Sequence, residues 1–489
     1  MLTCFLAIAN PMTLKFFHLF LATVSLWLLG FQEGASAQLS TEVETVAIPL
    51  LEPPGAVQTN LQSATSDTTV VHQGNQFDVL GGQLSDGLTP NLIHQFQQFD
   101  LGAADAANFV VDPNVANVIS LIDGLHPSVI DGLLTLTSSD PDFASQANLF
   151  LVNPAGIVFG ENVRLDLPAN LTATSASGLL FEDTYLLSID GAVSEIALPD
   201  SKPTGAVTLV VPSVDDLGGD PTGYLLLSDS ASSPVLDPLS TALPVGTIEN
   251  QGTLEVVPQA SITLIGHYVQ NDGSLVAPSG TVSLAANSGE NLLRLGQPGN
   301  LLSLEVLPAD ALSLISPVAE PTTLAATELA QVLTGGDEQN ATQIATNADG
   351  SQTLTGTPPL SPAPGSVLVR GIVDVSDSTP LEEVGTPGQV SILGDQINLV
   401  GGSIYANGIS QAGTLSIGGM PAADGFGAAY ILVDRNSELS ATASDGNGGS
   451  IYIWADDTVR FYGDAVVTGE SPDSEGTVSI DAGNVVDIR

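Results

Sequence analysis

Cysteine is almost absent from this sequence. The only one among the 489 residues is Cys4, which lies in an N-terminal stretch with the properties of a cleaved leader. The mature chain is therefore expected to contain no disulfide bond and to carry out no thiol chemistry. This composition suits a protein that must stay unfolded while it crosses an oxidising compartment.

Basic residues are also scarce. The chain has 8 Lys and Arg against 54 Asp and Glu, which gives a formal net charge of −46 at pH 7. A surface with this charge repels nucleic acids and anionic lipids, so we expect neither as a partner. Divalent cations, cationic partners and neutral glycans stay open, as does the alternative that the acidity only keeps the protein soluble.

Charged residues of both signs together make up only 13% of the chain, whereas globular domains carry about 25%. Aromatic residues make up 5% and hydrophobic residues 43%. The hydrophobic fraction excludes a disordered acidic chain, because so much apolar surface must be buried. With 50 glycines, the composition favours an elongated solenoid over compact domains.

Motifs of catalytic and metal chemistry are missing. The sequence has no G-x-S-x-G elbow and no P-loop, and its histidines outside the leader show no H-x-x-x-H spacing. Adjacent carboxylates such as Asp215-Asp216 face opposite ways on a strand, so they do not form an acid–base pair. The stretch Asp445-Gly446-Asn447-Gly448 resembles part of a calcium loop but lacks the remaining ligands. We expect no enzymatic activity, no cofactor and no metal site.

The longest apolar run lies near the N-terminus. Lys15 precedes an apolar stretch over residues 16–30, and Ala35-Ser36-Ala37 offers a cleavage site. This arrangement predicts a secretory signal peptide over residues 1–37. The alternative, a membrane anchor, is disfavoured because the run is short for a span of about 20 residues. No later segment is long enough, so we expect export across the inner membrane and no integral membrane span after cleavage.

Short runs of alternating apolar residues begin at about Thr68. Gly, Asn, Asp and Pro separate them, a pattern that predicts many short strands. Residues 38–65 lack such a pattern and are expected to form a flexible N-terminus. Within residues 252–286 two phrases recur about 20 residues apart, which is the period of one turn of a β-solenoid.

A second phrase recurs through the later half of the chain: glycine, any residue, an aliphatic residue, a polar residue, then Ile or Leu. Glycine at the start of each copy lets the backbone turn tightly into a new strand. About 375 residues at about 20 per turn predict roughly 15–20 coils around an aliphatic interior. The copies begin at Gly280, Gly388, Gly413, Gly449 and Gly476.

Residues 291–365 break this pattern. The stretch 321–339 predicts a short helix that Gly335-Gly336 ends, and turn-forming residues follow it. We expect an insertion made of a loop and a short helix. It divides the mature chain into a β-helix domain over residues 66–290 and continued β-helix repeats over residues 366–489.

A series of motifs in a distinctive order runs through residues 66–183. With them the segment resembles the N-terminal secretion domain of filamentous haemagglutinins, which are two-partner secretion exoproteins. The most specific motif is N-L-[FY]-L-x-N-P-N-G-[IV]-x-F-G, which residues 148–160 match except that Ala155 replaces the second Asn of N-P-N-G. Residues 446–463 resemble a distal block of cyanobacterial members. The other motifs are Gly74-Asn-Gln-Phe-Asp78, Asn91-Leu-Ile-His-Gln-Phe96, Ala107-Asn-Phe109, Asp112-Pro-Asn-Val115, Asn117-Val-Ile-Ser120 and Pro127-Ser-Val-Ile-Asp-Gly132.

The resemblance implies an all-β fold, a right-handed parallel β-helix, or β-solenoid. It also implies that an outer-membrane transporter of the two-partner type, a β-barrel with periplasmic recognition domains, exports the chain. The protein would reach the periplasm by the Sec pathway, cross the outer membrane unfolded and fold as a secreted or cell-surface protein.

The family associates the turn Asn153-Pro154-Ala155-Gly156 with secretion, and Asp112-Pro113-Asn114 reads in the same way. Pro at the second position and Gly at the fourth suit a type I turn. Two roles remain open for these residues: a turn that nucleates folding, and a direct contact with the transporter. Because Ala155 lacks the amide of the usual Asn, a role that needs this amide is in doubt.

These observations favour a secreted or surface-exposed exoprotein with an adhesion or structural role, whose ligand would be a glycan or a cell-surface receptor. One alternative is a cation-binding component of the extracellular matrix, motivated by the charge of −46. The other is a β-helical enzyme that acts on polysaccharides, which the scattered basic residues disfavour.

Overall fold

The computed structural model describes residues 57–86, 89–196, 212–227, 246–295, 304–308, 343–346, 352–355, 364–377, 387–419 and 427–489. These residues belong to one compact unit, Gly55–Arg489. The predicted signal peptide and the predicted helix at 321–339 lie outside the described residues. In the described part, helical structure amounts to two short 3-10 turns, Val214–Asp216 and Pro472–Ser474, and no helix is long and apolar enough to cross a membrane.

Short strands make up most of the described chain. The first group comprises β1 (Asn60–Ser63), β2 (Thr68–Gln73), β3 (Gln76–Gly81), β4 (Gln83–Leu84), β5 (Asn91–Asp100), β6 (Ala106–Val111), β7 (Asn117–Ile122), β8 (Ser128–Ile130), β9 (Leu133–Ser138), β10 (Asn148–Val152), β11 (Gly156–Phe159), β12 (Arg164–Asp166) and β13 (Leu171–Thr174). The second group comprises β14 (Gly178–Phe181), β15 (Tyr185–Ser188), β16 (Val193–Glu195), β17 (Gly223–Leu226), β18 (Thr247–Asn250), β19 (Thr253–Glu255), β20 (Ser261–Gly266), β21 (Tyr268–Asn271), β22 (Ser274–Val276), β23 (Thr281–Ala286), β24 (Asn291–Leu295), β25 (Leu304–Pro308), β26 (Gln343–Thr346) and β27 (Gln352–Thr355). The last group comprises β28 (Ser366–Val369), β29 (Ile372–Asp374), β30 (Gln389–Leu393), β31 (Gln396–Leu399), β32 (Ser403–Tyr405), β33 (Thr414–Ile417), β34 (Ala428–Val433), β35 (Glu438–Ser440), β36 (Ser450–Phe461), β37 (Asp464–Val466), β38 (Thr477–Ala482) and β39 (Val485–Ile488).

Three series of parallel strands wind into a parallel β-helix, as predicted. The first ladder is β5, β7, β10, β13, β20, β23, β30, β33, β36 and β38. The second ladder is β8, β11, β18, β21, β28, β31, β34, β36 and β39. The third face comprises β3, β6, β9 and β12, and then β19, β22, β29, β32, β35 and β37.

Aliphatic side chains stack in register inside the helix. On the first ladder Val282 lies beside Val390, then Leu415 and Ile451, and each is at most 1% exposed. Alternate residues of a strand point to one face, so each coil adds its own set to the same interior. In the last coil the equivalent position, Val478, is 38% exposed.

The recurring glycine phrase marks successive rungs of the first ladder, at β23, β30, β33, β36 and β38. A Cβ atom on Gly413 would collide with the carbonyl oxygen of Gly388, and one on Gly449 would collide with that of Gly413. These glycines do not have the left-handed backbone conformation. Close approach of neighbouring coils, rather than turning freedom, therefore requires glycine here.

The number of coils is smaller than expected. Among the described residues the first ladder has ten strands, which span about 45 Å at about 4.8 Å per step, fewer than the 15–20 coils that were estimated. Early coils are long: Asn91 and Asn117, and then Asn117 and Asn148, are 26 and 31 residues apart. Two segments that leave the helix and return to it, called excursions below, also contain residues that do not form coils.

Both excursions leave the helix after a strand of the first ladder. One runs from β13 to β18 and contains β14–β17, and the other follows β23 and begins with β24 and β25. They join in one antiparallel sheet, in the order β16-β15-β14-β17-β24-β25. Phe181 and Leu293 of this sheet pack with Ile119 and Phe150 on the outer face of the first ladder. An insertion was expected only from residue 291.

Antiparallel strands close the N-terminal end. β1 pairs with β5, β4 pairs with the other end of β5, and β2 pairs with β3. Residues 60–63 are therefore a strand, which corrects the expectation of a flexible segment up to residue 65. Leu61 packs against the core, and Asn60 Nδ2 donates to Gln98 Oε1 at 2.8 Å, so the edge of β5 orders these residues.

Candidate functional site

The turn Asn153-Pro154-Ala155-Gly156 joins the first ladder to the second, between β10 and β11. The Gly156 N–H donates to the Asn153 carbonyl oxygen at 2.9 Å. The Ala155 N–H donates to Asn153 Oδ1, also at 2.9 Å. Pro154 presets the backbone angle that the second position of such a turn needs. The main chain and the side chain of Asn153 thus close the same turn.

Asn153 also ties this turn to the coils on either side. Its side chain is fully buried, and Nδ2 donates to the His126 carbonyl at 3.2 Å and to Ser128 Oγ at 3.0 Å. Its backbone N–H donates to the Thr174 carbonyl at 3.0 Å. Every polar atom of the side chain has a partner inside the protein, so this amide is not presented to another molecule in the folded state.

The first excursion leaves and rejoins the helix beside this turn. Thr174 is the last residue before the excursion, and Thr247 is the first strand residue after it. Gly156 has φ +119°, and a Cβ there would lie 2.6 Å from the Thr247 carbonyl oxygen. The Gly246 N–H donates to the Ala155 carbonyl at 3.2 Å. Residue 156 must therefore be glycine for both backbone conformation and space.

The turn at Asp112-Pro113-Asn114 has a similar bond pattern in a different setting. The Asn114 N–H donates to Asp112 Oδ1 at 2.9 Å, and the Val115 N–H donates to the Asp112 carbonyl at 3.0 Å. Asp112 and Asn114 are exposed. This turn precedes β7, whereas the 153–156 turn follows β10, so the structure places the two turns at opposite ends of first-ladder strands.

Asparagine side chains from three of the sequence motifs form a hydrogen-bonded ladder. No role for these asparagines was predicted from the sequence. Asn117 Nδ2 donates to Asn91 Oδ1 at 2.8 Å, and Asn148 Nδ2 donates to Asn117 Oδ1 at 2.7 Å. Asn91 and Asn117 are fully buried. Each is the first residue of its strand, and this shared position in three successive motifs was the available signal.

A loop of the first excursion covers the start of the asparagine ladder. Asn91 Nδ2 donates to the carbonyls of Leu217 and Gly219 at 3.1 and 3.0 Å, and Asn117 Nδ2 donates to Asp220 Oδ1 at 3.0 Å. Leu217 is fully buried. The amides therefore fasten a loop that is more than 100 residues away in sequence to the first coils.

An acidic cleft of about 420 Å³ lies next to this loop. Its carboxylates are Asp86, Glu182, Asp216 and Asp220. In the described ranges no group of three His, Cys, Asp or Glu side chains is placed to hold a metal ion. The cleft is thus a negatively charged surface feature. It does not test the expectation that the chain has no metal site.

Two histidines are buried in the helix. Burial alone lowers the pKa of His94 to about 4. His267 lies at the corner between β20 and β21, where Nδ1 is 3.0 Å from the Asn287 carbonyl oxygen and Nε2 is 3.3 Å from that of Leu227. Asn287 follows β23, where the second excursion begins, and Leu227 follows β17 of the first excursion, so the His267 ring lies against both excursions.

Comparison with known proteins identifies the family. The TPS secretion domain model, for two-partner secretion, matches residues 55–351, more than half of the 489 residues. The HMW1 secretion domain from Haemophilus influenzae, a crystal structure, has 14% identity and a TM-score of 0.41, over 88% of this chain and 98% of that one. No curated protein matches. The chain belongs to the TPS secretion domain family and is a two-partner secretion exoprotein.

Proposed function

We propose that the first coils direct export of this chain through an outer-membrane transporter, and that the exported β-helix is an adhesion or structural protein of the cell surface. The match of residues 55–351 to the TPS secretion domain carries this proposal. Exoproteins of this family pass through the periplasm by the Sec route and reach the cell surface. The low charge content and the single Cys4 suit a chain that threads unfolded.

The order of contacts along the chain suits folding that proceeds coil by coil. When residues 148–159 emerge, residues 117–130 are already available, so β10 and β11 can pair with β7 and β8. Leu149, Ile157 and Phe159 become fully buried, each worth about 1.5–3 kcal/mol before the cost of ordering the chain. Each coil added outside the cell thus opposes backward movement of the chain.

The turn at Asn153 serves this process as a fold-nucleating device. Its amide reaches back to His126 and Ser128 in the coil that emerges first, so the corner closes before the next coil arrives. Burial of the amide favours this role over direct contact between the folded turn and the transporter.

The net charge of the protein limits the ligands that an adhesion role could involve. A protein with net charge −46 does not bind polyanions, so a neutral glycan or a cationic surface protein is the ligand class that fits. Glycan-array binding by the purified chain tests this part separately from export; absence of binding to any neutral glycan or cationic protein would contradict it.

Export is tested by producing the chain together with its outer-membrane transporter and measuring the fraction outside the cell. Asn153→Ala should lower that fraction about tenfold, because the corner loses three hydrogen bonds worth about 1–3 kcal/mol together. Asn162→Ala, at an exposed asparagine outside both turns, is the matched control and should stay within about twofold of the parent. Equal export of Asn153→Ala and the parent would contradict the nucleating role.

A further inference from the structure

One column of side chains, stacked in register inside the β-helix, is polar at its N-terminal end and aliphatic beyond it. His94 on β5 lies in register with Ser120 on β7, and Ser120 lies in register with Leu151 on β10. Beyond Leu151 the column is aliphatic throughout its described coils. Its later members are Ala173, Leu264, Leu284, Ile392, Ile417, Ile453 and Ile480.

The two polar members are buried without full hydrogen bonding. His94 and Ser120 are both 0% exposed, and neither His94 Nε2 nor Ser120 Oγ has a hydrogen-bond partner. A buried polar atom without a partner is destabilising, since it has lost its bonds to water. The first two coils of the ladder therefore carry a cost that the aliphatic coils lack.

The surroundings of the His94 ring are uncharged. The Thr68 hydroxyl of β2 lies 3.4 Å from Nδ1, and the rings of Phe96 on β5 and Phe109 on β6 are 6.3 and 5.8 Å from the imidazole. Asp67, the residue before Thr68, is exposed and accepts from Gln83 Nε2 at 2.9 Å. Among the described residues no carboxylate faces the ring to stabilise an imidazolium ion.

We propose that His94 is an acid-sensitive latch: its protonation opens the N-terminal coils, which comprise β1–β8 and which the unpaired Ser120 hydroxyl already weakens, while the later coils stay folded. The opening is local because the strands of each coil pair only with those of the coils next to it; the first coils hold the loop around Leu217 through side-chain amides. The ring lies on the first strand of the ladder, where β1 and β4 pair with β5 in the antiparallel direction and the Thr68 hydroxyl of β2 lies beside Nδ1. This proposal concerns the stability of the coils and does not depend on the export route.

The direction of the effect follows from the pKa. Burial lowers the pKa of His94 from 6.5 in the unfolded chain to about 4. Between these values the open coils bind a proton that the closed coils do not, so stability is complete above about pH 6.5 and falls as the pH drops. The ratio of closed to open coils should fall about 20-fold from pH 7 to pH 5, and up to about 300-fold below pH 4.

Hydrogen–deuterium exchange of the full chain, corrected for the intrinsic pH dependence of amide exchange, measures this opening. Amides of β5 and β7 should open about 20-fold more at pH 5 than at pH 7, while those of β30 and β33 should not change. His94→Leu should remove the pH dependence of β5 and β7. His126→Gln, at an exposed histidine, is the matched control and should keep it.

Two results would overturn the latch: equal pH dependence of early and late coils in the parent protein, or an undiminished pH dependence in a folded His94→Leu variant. If His94→Leu does not fold, the ring of His94 is titrated by NMR in the parent chain. A midpoint near 6.5 would contradict the proposal, and a midpoint near 4 would support it. Ser120→Ala should slow opening at both pH values and keep their ratio.

Discussion

The side-chain amide of Asn153 donates to Ser128 Oγ at 3.0 Å, a bond between corners of two successive coils 25 residues apart. Nδ2 also donates to the His126 carbonyl, and Oδ1 accepts from the Ala155 N–H, so one side chain sets both the shape of its own turn and its position on the preceding coil. Turn geometry and coil stacking are thus coupled at a single residue.

Replacing Asn153 tests this coupling in the purified protein. Asn153→Ala should lower the free energy of unfolding of the early coils by about 1–3 kcal/mol, because the Ala155 N–H and the His126 carbonyl lose a partner. Ser128→Ala removes one acceptor and should cost about 1 kcal/mol. Urea unfolding followed by circular dichroism gives both values. An Asn153→Ala cost no larger than that of Ser128→Ala would show that the turn does not depend on the amide.

The glycines that begin the recurring phrase on the first ladder should not tolerate a larger side chain. Gly413→Ala should destabilise the later coils by several kcal/mol or prevent their folding, since the new Cβ would meet the Gly388 carbonyl oxygen. Gly218→Ala is the control, because its Cβ would be 3.6 Å from the nearest atom, and it should change stability by less than about 0.5 kcal/mol. Thermal unfolding of both variants makes the comparison; a Gly413→Ala variant as stable as the parent would contradict the close approach of the coils.

These glycines also show what could be predicted from the sequence. The phrase that begins at each glycine can be read from a short stretch of sequence. Its alternating apolar residues predict which face of the strand is buried, and its repetition predicts that the strands stack in a ladder. The physical reason for glycine was not local, because the atom that excludes a Cβ from Gly413 belongs to another coil. The fold class was therefore predictable, and the steric cause was visible only in the structure.

The antiparallel sheet of the excursions could not be foreseen for a similar reason. Strand β14 (GLLF) and strand β17 (GYLL) are as short and apolar as strands of the helix such as β11 (GIVF). Their direction depends on pairing with each other and on an apolar face of the first ladder. In the candidate site, the turn at 153–156 could be predicted from Pro154 and Gly156, whereas its bonds to Ser128 and Thr174 needed the register of the coils.

The asparagine ladder should hold the loop of residues 212–222 in place. Asn117→Ala removes the donor to Asn91 Oδ1 and Asp220 Oδ1 and takes the acceptor from Asn148 Nδ2, at a cost of about 1–3 kcal/mol. The loop should then be cut faster by proteases, which act on locally opened segments. Limited proteolysis with mass spectrometry locates the cut. Asn162→Ala, at an exposed asparagine, should leave the cleavage rate unchanged; equal rates in both variants would contradict the fastening role.

Position 155, where this chain has alanine in place of the usual asparagine, offers a separate test of the turn. Ala155→Asn restores the usual family residue, but the Ala155 N–H and carbonyl already make their bonds to Asn153 Oδ1 and to the Gly246 N–H. Because these bonds use only the backbone, the variant should be exported within about twofold of the parent. A gain of tenfold or more would mean that the second amide contacts the transporter.

The most direct test of the central claim is to measure how much of the chain reaches the cell surface with and without the outer-membrane transporter of the two-partner type. Added protease should digest the chain on intact cells that contain the transporter, while a periplasmic marker protein stays protected. In cells without the transporter the chain should remain in the periplasm and resist the protease. Equal surface exposure in both strains would contradict the assignment of the first coils as an export signal for this transporter.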